Sequence, residues 1–277
     1  MLGKLLKYEV KATARTFLPF YIALIAMALI NKLFFWINST RDFYEMMDRS
    51  NSILSNLAEI PAGLALMGFV GIIVAVFVVT VFVMIQRFYK NLLGDEGYLM
   101  FTLPVKPWQN ILSKLAVSTM WLVVSTIATA IAIFITAVDS NFLQHFPSEF
   151  ATASRIFFED TGMTLGLVIT EFIILSVVSL VVSILHVYIS IALGQLFNTH
   201  KLLASFGAYF VINIVRQAIN SIAMVIFGTV NSNVYDQFAA IQTLQSGAIM
   251  AVLISIVYGV VFYIGTNWLL SKKLNLE

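Results

Sequence analysis

The stretch GFVGIIVAVFVVTVFVMI, residues 68–85, decides the fold. It contains one hydroxyl, Thr80, and no charge. Apolar and polar residues do not alternate, as they would in the ~10-residue strands of a transmembrane barrel. The run is apolar on every side. A helix tolerates that only when it is buried or wrapped in lipid. Spanning a bilayer takes about 20 apolar residues, and extension back to Pro61 satisfies this.

Five comparable runs lie on either side of it. The expected spans are residues 17–36, 61–85, 111–138, 163–187, 202–227 and 247–270. The chain therefore reads as an all-α, polytopic integral membrane protein, with residues 17–277 as a six-helix transmembrane domain. Composition agrees. Of 277 residues, 60% are hydrophobic and 11% charged, whereas a soluble domain has about 25% charged residues to cover its surface. Disorder needs the opposite balance. With Gly 14 and Pro 5 the chain is neither collagen-like nor low-complexity, and Cys 0 excludes disulfides, thiolate metal sites and a cysteine nucleophile.

Positive charge collects on the cytoplasmic side. With the N-terminus inside, Lys4, Lys7, Lys11, Arg15, Arg87, Lys90, Lys106, Lys114, Lys201, Lys272 and Lys273 are all cytoplasmic; Lys32, Arg41, Arg49 and Arg155 are outside or near it. Both termini are thus expected in the cytoplasm of a cell whose plasma membrane the chain crosses. Residues 1–16 are too charged for the core of a signal peptide. Lys4, Lys7, Lys11 and Arg15 share one helical face and Leu2, Leu5, Leu6, Ala12 and Phe17 another. This predicts an amphipathic helix at the interface, basic side toward anionic headgroups.

The cytoplasmic loop, residues 86–114, is the most informative segment: QRFYKNLLGDEGYLMFTLPVKPWQNILSK. Arg87, Phe88, Tyr89 and Lys90 continue the preceding helix. Gly94 and Gly97 bracket Asp95 and Glu96 in a turn. An apolar run from Tyr98 follows, and Pro104 and Pro107 stop it. Such a run needs a cover, either the membrane interface or a partner protein.

Glu96 and Gly97, then Leu103, Pro104, Val105 and Lys106, then Lys114, follow in an order that resembles the loop of ATP-binding-cassette (ABC) exporter permeases of the type-2 class. Six spans, a basic amphipathic N-terminal helix and cytoplasmic termini also fit that family. Tyr98 departs from it, in place of a small hydroxyl residue. The resemblance implies a coupling helix docking on a separate ATPase subunit, here Arg87, Phe88, Tyr89, Lys90, Asn91, Leu92 and Leu93, with Glu96 and Gly97 after it. It also implies pairing with a second permease copy or a homologous permease, and export as the direction of transport.

The chain itself has no G-x-x-x-x-G-K-[ST] phosphate loop, and its longest polar stretches are too short for a nucleotide-hydrolysing domain. ATP and magnesium are expected on the partner ATPase, with no cofactor in this chain, no enzymatic activity of its own and no nucleic-acid partner. The alternative is a non-transporting membrane sensor or scaffold that binds an ATPase.

Two polar stripes cross the expected fourth and fifth spans. Glu171, Ser176, Ser179, Ser183, His186 and Ser190 share one arc; Ser205, Tyr209, Asn213, Arg216, Gln217 and Asn220 share another. Intramembrane ionisable groups face a partner or a cavity. The stripes read either as a Glu171–Arg216 ion pair with hydrogen-bonded Asn and Ser packing the helices, or as the lining of a substrate path. A Glu171–His186 catalytic dyad fails on geometry, since fifteen residues of helix separate them by about 22 Å. His145, His186 and His200 have no metal-ligand spacing. Ser118, Ser125, Thr129 and Thr136 form a small-residue packing face on the third span, and residues 146–160 a short amphipathic helix in an outer loop.

Overall fold

The computed structural model describes residues 2–45, 52–92, 106–197, 199–230 and 237–272, with the side chains of 38–45, 52–59, 91–92, 140–141, 230, 237–242, 244 and 272 not described. Among them there are seven helices and no strand: α1 (Leu2–Glu45), α2 (Ser52–Leu92), α3 (Pro107–Ala137), α4 (Ser140–Thr161), α5 (Leu165–Gly194), α6 (Lys201–Val230) and α7 (Gln237–Lys272). Six of them, all but α4, are long and apolar enough to cross a membrane. The chain is a multi-pass membrane protein. Between the membrane-crossing helices comes the amphipathic α4, with Pro147 inside it, longer at both ends than the expected 146–160.

The basic segment and the first span are one helix. Between Gly3 and Pro19 nothing interrupts the helical ladder, and α1 passes through Pro19 without ending. Its 44 residues extend about 66 Å, over twice the ~30 Å hydrocarbon thickness. Lys4, Lys7, Lys11 and Arg15 are exposed, as their shared face requires, while Thr13, Phe17, Leu24, Ala28 and Asn31 form a single buried stripe. That stripe runs straight across the 16/17 boundary at which the sequence suggested two elements.

The chain divides into two compact units. One comprises Gly3–Met84 and Met120–His145. Its core is Leu24, Ala28, Phe69, Val76 and Ala132, ringed by Phe20, Tyr21, Ile25, Met27 and others. The small-residue face of α3 is used here. Ser125 Oγ lies 2.8 Å from Tyr21 Oη and 3.1 Å from Thr80 Oγ1. Trp121 Nε1 donates to Thr13 Oγ1 at 2.7 Å, and its ring stacks on Phe17 with centroids 4.4 Å apart. Asn31 Nδ2 donates to the carbonyls of Met27 (2.9 Å) and Ala65 (3.1 Å). In lipid, apolar surface does not drive helices together. Close packing of small residues and interhelical hydrogen bonds do, and this unit is held by both.

The other unit comprises Ile85–Thr119 and Phe146–Glu277 with the first two residues. Within it α5 packs against both α6 and α7. The buried residues of α5 lie in its C-terminal half, from Val182 to Gly194. Two glycines set the spacing. A methyl at Gly194 would stand 2.7 Å from Ser205 Cα, and one at Gly265 would stand 2.8 Å from Ile189 Cδ1. The α5–α6 turn is therefore closed backbone to backbone, with His200 in the left-handed region at φ 57°. Buried hydroxyls bond to their own helix, as Thr266 does to Phe262 O (2.7 Å) and Ser190 to His186 O (2.7 Å). No hydroxyl of these two is left bare in an apolar setting.

Candidate functional site

Arg87, Phe88, Tyr89, Lys90, Asn91 and Leu92 are the final turns of α2 and not a separate short helix. A push on this segment acts on the end of a 41-residue helix. Leu93, Glu96 and Gly97, like Leu103, Pro104 and Val105, lie outside the described residues. Lys90 is exposed, and Arg87 and Tyr89 are half-buried.

Phe88 corrects the sequence reading. As one of the coupling residues it would serve as an anchor presented to a partner, but it is fully buried. Its ring stacks on Tyr188 of α5, centroids 3.9 Å apart and planes 10° apart. Tyr188 Oη lies 3.0 Å from Ser118 Oγ of α3. The side chain that looked like an outward hook is an inward link between the ends of α2, α5 and α3.

The far boundary of the loop also shifts. α3 begins at Pro107, so residues 107–114 are helix and not loop. Pro occupies the first helical position, where its missing N–H costs nothing. Gln109 Oε1 accepts from Lys106 N at 3.3 Å while Gln109 N donates to Lys106 O at 2.9 Å, a reciprocal cap. Asn110, Ile111, Ser113, Lys114 and Leu115 are all buried. Lys114, counted as a cytoplasmic charge from the sequence, is only 3% exposed. Tyr263 of α7 donates to Trp108 O at 3.1 Å and ties this end of α3 down.

Glu171 and Arg216 do not pair. Glu171 Oε1 accepts from Gln245 Nε2 of α7 at 3.1 Å, and Arg216 Nη2 donates to Asn213 Oδ1 at 3.4 Å. The reason is axial. Measured from the α5–α6 turn, Glu171 is about 34 Å along its helix and Arg216 about 22 Å along its own, at 1.5 Å per residue. Similar depth was expected from the sequence, but 23 residues separate Glu171 from the end of α5 at Gly194 and only 15 separate Arg216 from the start of α6 at Lys201.

The stripes are not uniform either. On α5, His186 and Ser190 are buried, Glu171 and Ser176 half-buried, and Ser179 and Ser183 exposed. On α6, Ser205 is buried, Asn213 and Arg216 half-buried, Gln217 and Asn220 exposed. They meet where His186 stacks on Tyr209, centroids 4.4 Å apart. The contributor that the sequence reading missed is α7. Tyr258 Oη donates to Asn220 Oδ1 (3.0 Å) and to Arg216 O (3.4 Å), and Phe262 stacks beside His186 at 5.5 Å. Gln245 completes the set. Tyr258 and Phe262, four residues apart on one face of α7, were the available signal; Gln245 lies on a different face.

Two hollows flank these groups. One, of about 180 Å³, adjoins Glu171 and is walled by Ile174, Ala248, Val252 and Leu253. The other, of about 530 Å³, lies between α6 and α7 and is lined by Val215, Arg216, Ile219, Leu253, Val257 and Tyr258 among others. Its surface is almost entirely hydrocarbon, with Arg216 and Tyr258 contributing carbon and almost no polar atoms to it. Such a space suits an apolar group better than it suits a hydrated ion.

No protein-family model, curated protein or solved structure matches the chain.

Proposed function

We propose that this chain is the membrane permease subunit of an ABC transporter, an exporter of the type-2 class. In this reading two permease subunits form the substrate path in the plasma membrane, both termini are cytoplasmic, and separate ATPase subunits bind ATP and magnesium. The observation that carries the reading is the loop sequence from Arg87 to Lys114, with Glu96–Gly97 and Leu103–Pro104–Val105–Lys106 in the family's order. Six membrane-crossing helices and the one-sided distribution of Lys and Arg support it.

The packing supplies a route for coupling. The ATPase would grip the exposed and half-buried side chains at the end of α2, chiefly Lys90, Arg87 and Tyr89. Displacement there reaches α5 through the Phe88–Tyr188 stack and α3 through Ser118. Packed aromatic rings transmit displacement because the interior resists compression. ATP drives the cycle only by binding one conformation of the assembly better than another.

The test is co-purification of the tagged chain with ATP-binding proteins from its own membranes. An ATPase retained by the intact chain and lost on Arg87→Glu with Lys90→Glu supports the reading. Equal retention by the doubly reversed variant removes the coupling assignment. A chain that moves substrate in vesicles with no ATPase attached removes the ABC reading.

A further inference from the structure

Among the described residues, α4 is the one helix that does not cross the membrane, and both of its ends are fastened to helices that do. Val138 and Asp139 link it to α3, and Gly162, Met163 and Thr164 link it to α5. Each end therefore lies within about 10–14 Å of a membrane-crossing helix. The 22 residues of α4 extend about 33 Å. Standing upright, the helix would carry one end farther from the bilayer than its link reaches, so it lies along the surface. Both ends are capped. Asp139 Oδ1 accepts from Phe142 N at 2.6 Å, and Gly162, in the left-handed region at φ 69°, donates from its N to Phe158 O at 2.8 Å.

A helix laid on a bilayer must be two-sided, and α4 is. Phe146, Phe150, Ala153 and Phe157 recur at spacings of 4, 3 and 4. Ser148, Thr152, Arg155 and Glu159 recur at the same spacings two residues on, which puts them on the opposite arc. The aromatic stripe lies wholly within one compact unit, and none of the described side chains of α4 is buried. Phe146 and Phe150 stack on each other, centroids 5.7 Å apart, and are still 47% and 46% exposed. The helix carries the acids Glu149, Glu159 and Asp160 and a single arginine, Arg155, whose Nε is 3.4 Å from Glu159 Oε1.

We infer that α4 is docked on the bilayer, with Phe146, Phe150, Ala153 and Phe157 sunk about 5–10 Å into the boundary between headgroups and acyl chains, and that it takes neutral lipid by apolar burial and not by charge. Continuity selects this occupant: the bilayer crossed by α3 and α5 is the apolar phase at both ends of α4. A helical partner does not fit as well. The stripe from Phe146 to Phe157 is shorter than two heptads, and a coiled coil needs about three or four. Anionic headgroups would meet the acids of α4, whereas they suit Lys4, Lys7, Lys11 and Arg15 on α1. The inference needs only that α3 and α5 cross the membrane, and it stands apart from the ABC reading.

The experiment uses the full-length chain, which contains no cysteine, in phosphatidylcholine vesicles without any ATPase. A single thiol at A153C, on the aromatic side, or at T152C, on the polar side, carries an environment-sensitive fluorophore. Iodide is supplied on both sides of the membrane. The A153C label should resist iodide about fivefold better than the T152C label and be quenched by lipids bearing a nitroxide near the top of the acyl chain. Replacing part of the phosphatidylcholine by phosphatidylglycerol should not increase that shielding. F150S with F157S should return the A153C label to water, and E159Q should leave it in lipid. The two labelled chains keep every phenylalanine, so their comparison holds even where the double serine variant misfolds. Equal iodide access at 152 and 153 overturns the docking. So does shielding at 153 without nitroxide quenching, or a disulfide between two copies at A153C, for protein would then cover the face. Stronger shielding in phosphatidylglycerol overturns recognition by apolar burial.

Discussion

At the scale of single residues, the close approach of α5 and α6 depends on the absence of a side chain at Gly194. A methyl there would press on Ser205 backbone atoms, which cannot rotate away. Overpacking of this kind costs about 1–3 kcal/mol, so Gly194→Ala should lower the melting temperature in detergent by several degrees. An unchanged melting curve would mean the turn is looser than described. The pairing of Glu171 with Gln245 gives a second prediction. Exchanging the two, Glu171→Gln with Gln245→Glu, keeps one amide and one carboxylate in contact and should recover most of what either single change loses, a coupling of about 1 kcal/mol in a double-mutant cycle. Reversing Glu171 and Arg216 together should give no such rescue. Rescue by that second pair would restore the ion-pair reading that the axial offset excludes.

At the scale of elements, the proposed function makes α2 the lever. Its last turns carry the proposed docking side chains, and helical continuity back through the membrane makes them stiff. Replacing Ile85 and Gln86 by two glycines should soften this joint at about 1 kcal/mol per glycine in helix propensity. The expected result is an ATPase that still co-purifies but whose hydrolysis no longer responds to the permease; full retention of that response would show that force does not pass along α2. The elements were legible in the sequence to an uneven degree. All six spans could be read because lipid forces every backbone group into its own helix, and a long apolar run has no other form. Their ends could not. α1 reaches Glu45 and α5 reaches Gly194, beyond residues 36 and 187, because a helix continues past hydrocarbon until a turn residue stops it. The start of α3 at Pro107 was present in the sequence as Pro followed two residues later by a capping Gln, and was passed over in favour of the later apolar residues.

Partners across helices were the least legible part. Arg216 stood out by charge and Glu171 with it, but which neighbour each would meet depends on rotation and axial offset, which uniformly apolar helices do not record. Phe88 shows the same limit. Beside Arg87 and Lys90 it looked like a surface anchor, and only the position of Tyr188 shows that it turns inward.

At the scale of the whole molecule, the proposed orientation can be tested directly because the chain contains no cysteine. Single substitutions Lys4→Cys, Lys201→Cys and Glu149→Cys each give a unique thiol. A membrane-impermeant maleimide applied to intact cells should label position 149 and leave 4 and 201 unlabelled until the membrane is opened. Labelling of position 4 from outside would invert the topology and place the 86–114 loop beyond the reach of any cytoplasmic ATPase.

A fixed cation halfway along α6 also sits inside the electric field of an energised membrane. Carrying one elementary charge across the full drop takes about 2.3 kcal/mol per 100 mV, so a shift of Arg216 through a quarter of it takes about 0.6 kcal/mol. That is roughly the thermal energy, enough to bias two conformations by a factor of nearly three. The chain should therefore feel the cell's voltage in any conformational change that carries Arg216 along the membrane normal, and R216Q should remove that sensitivity.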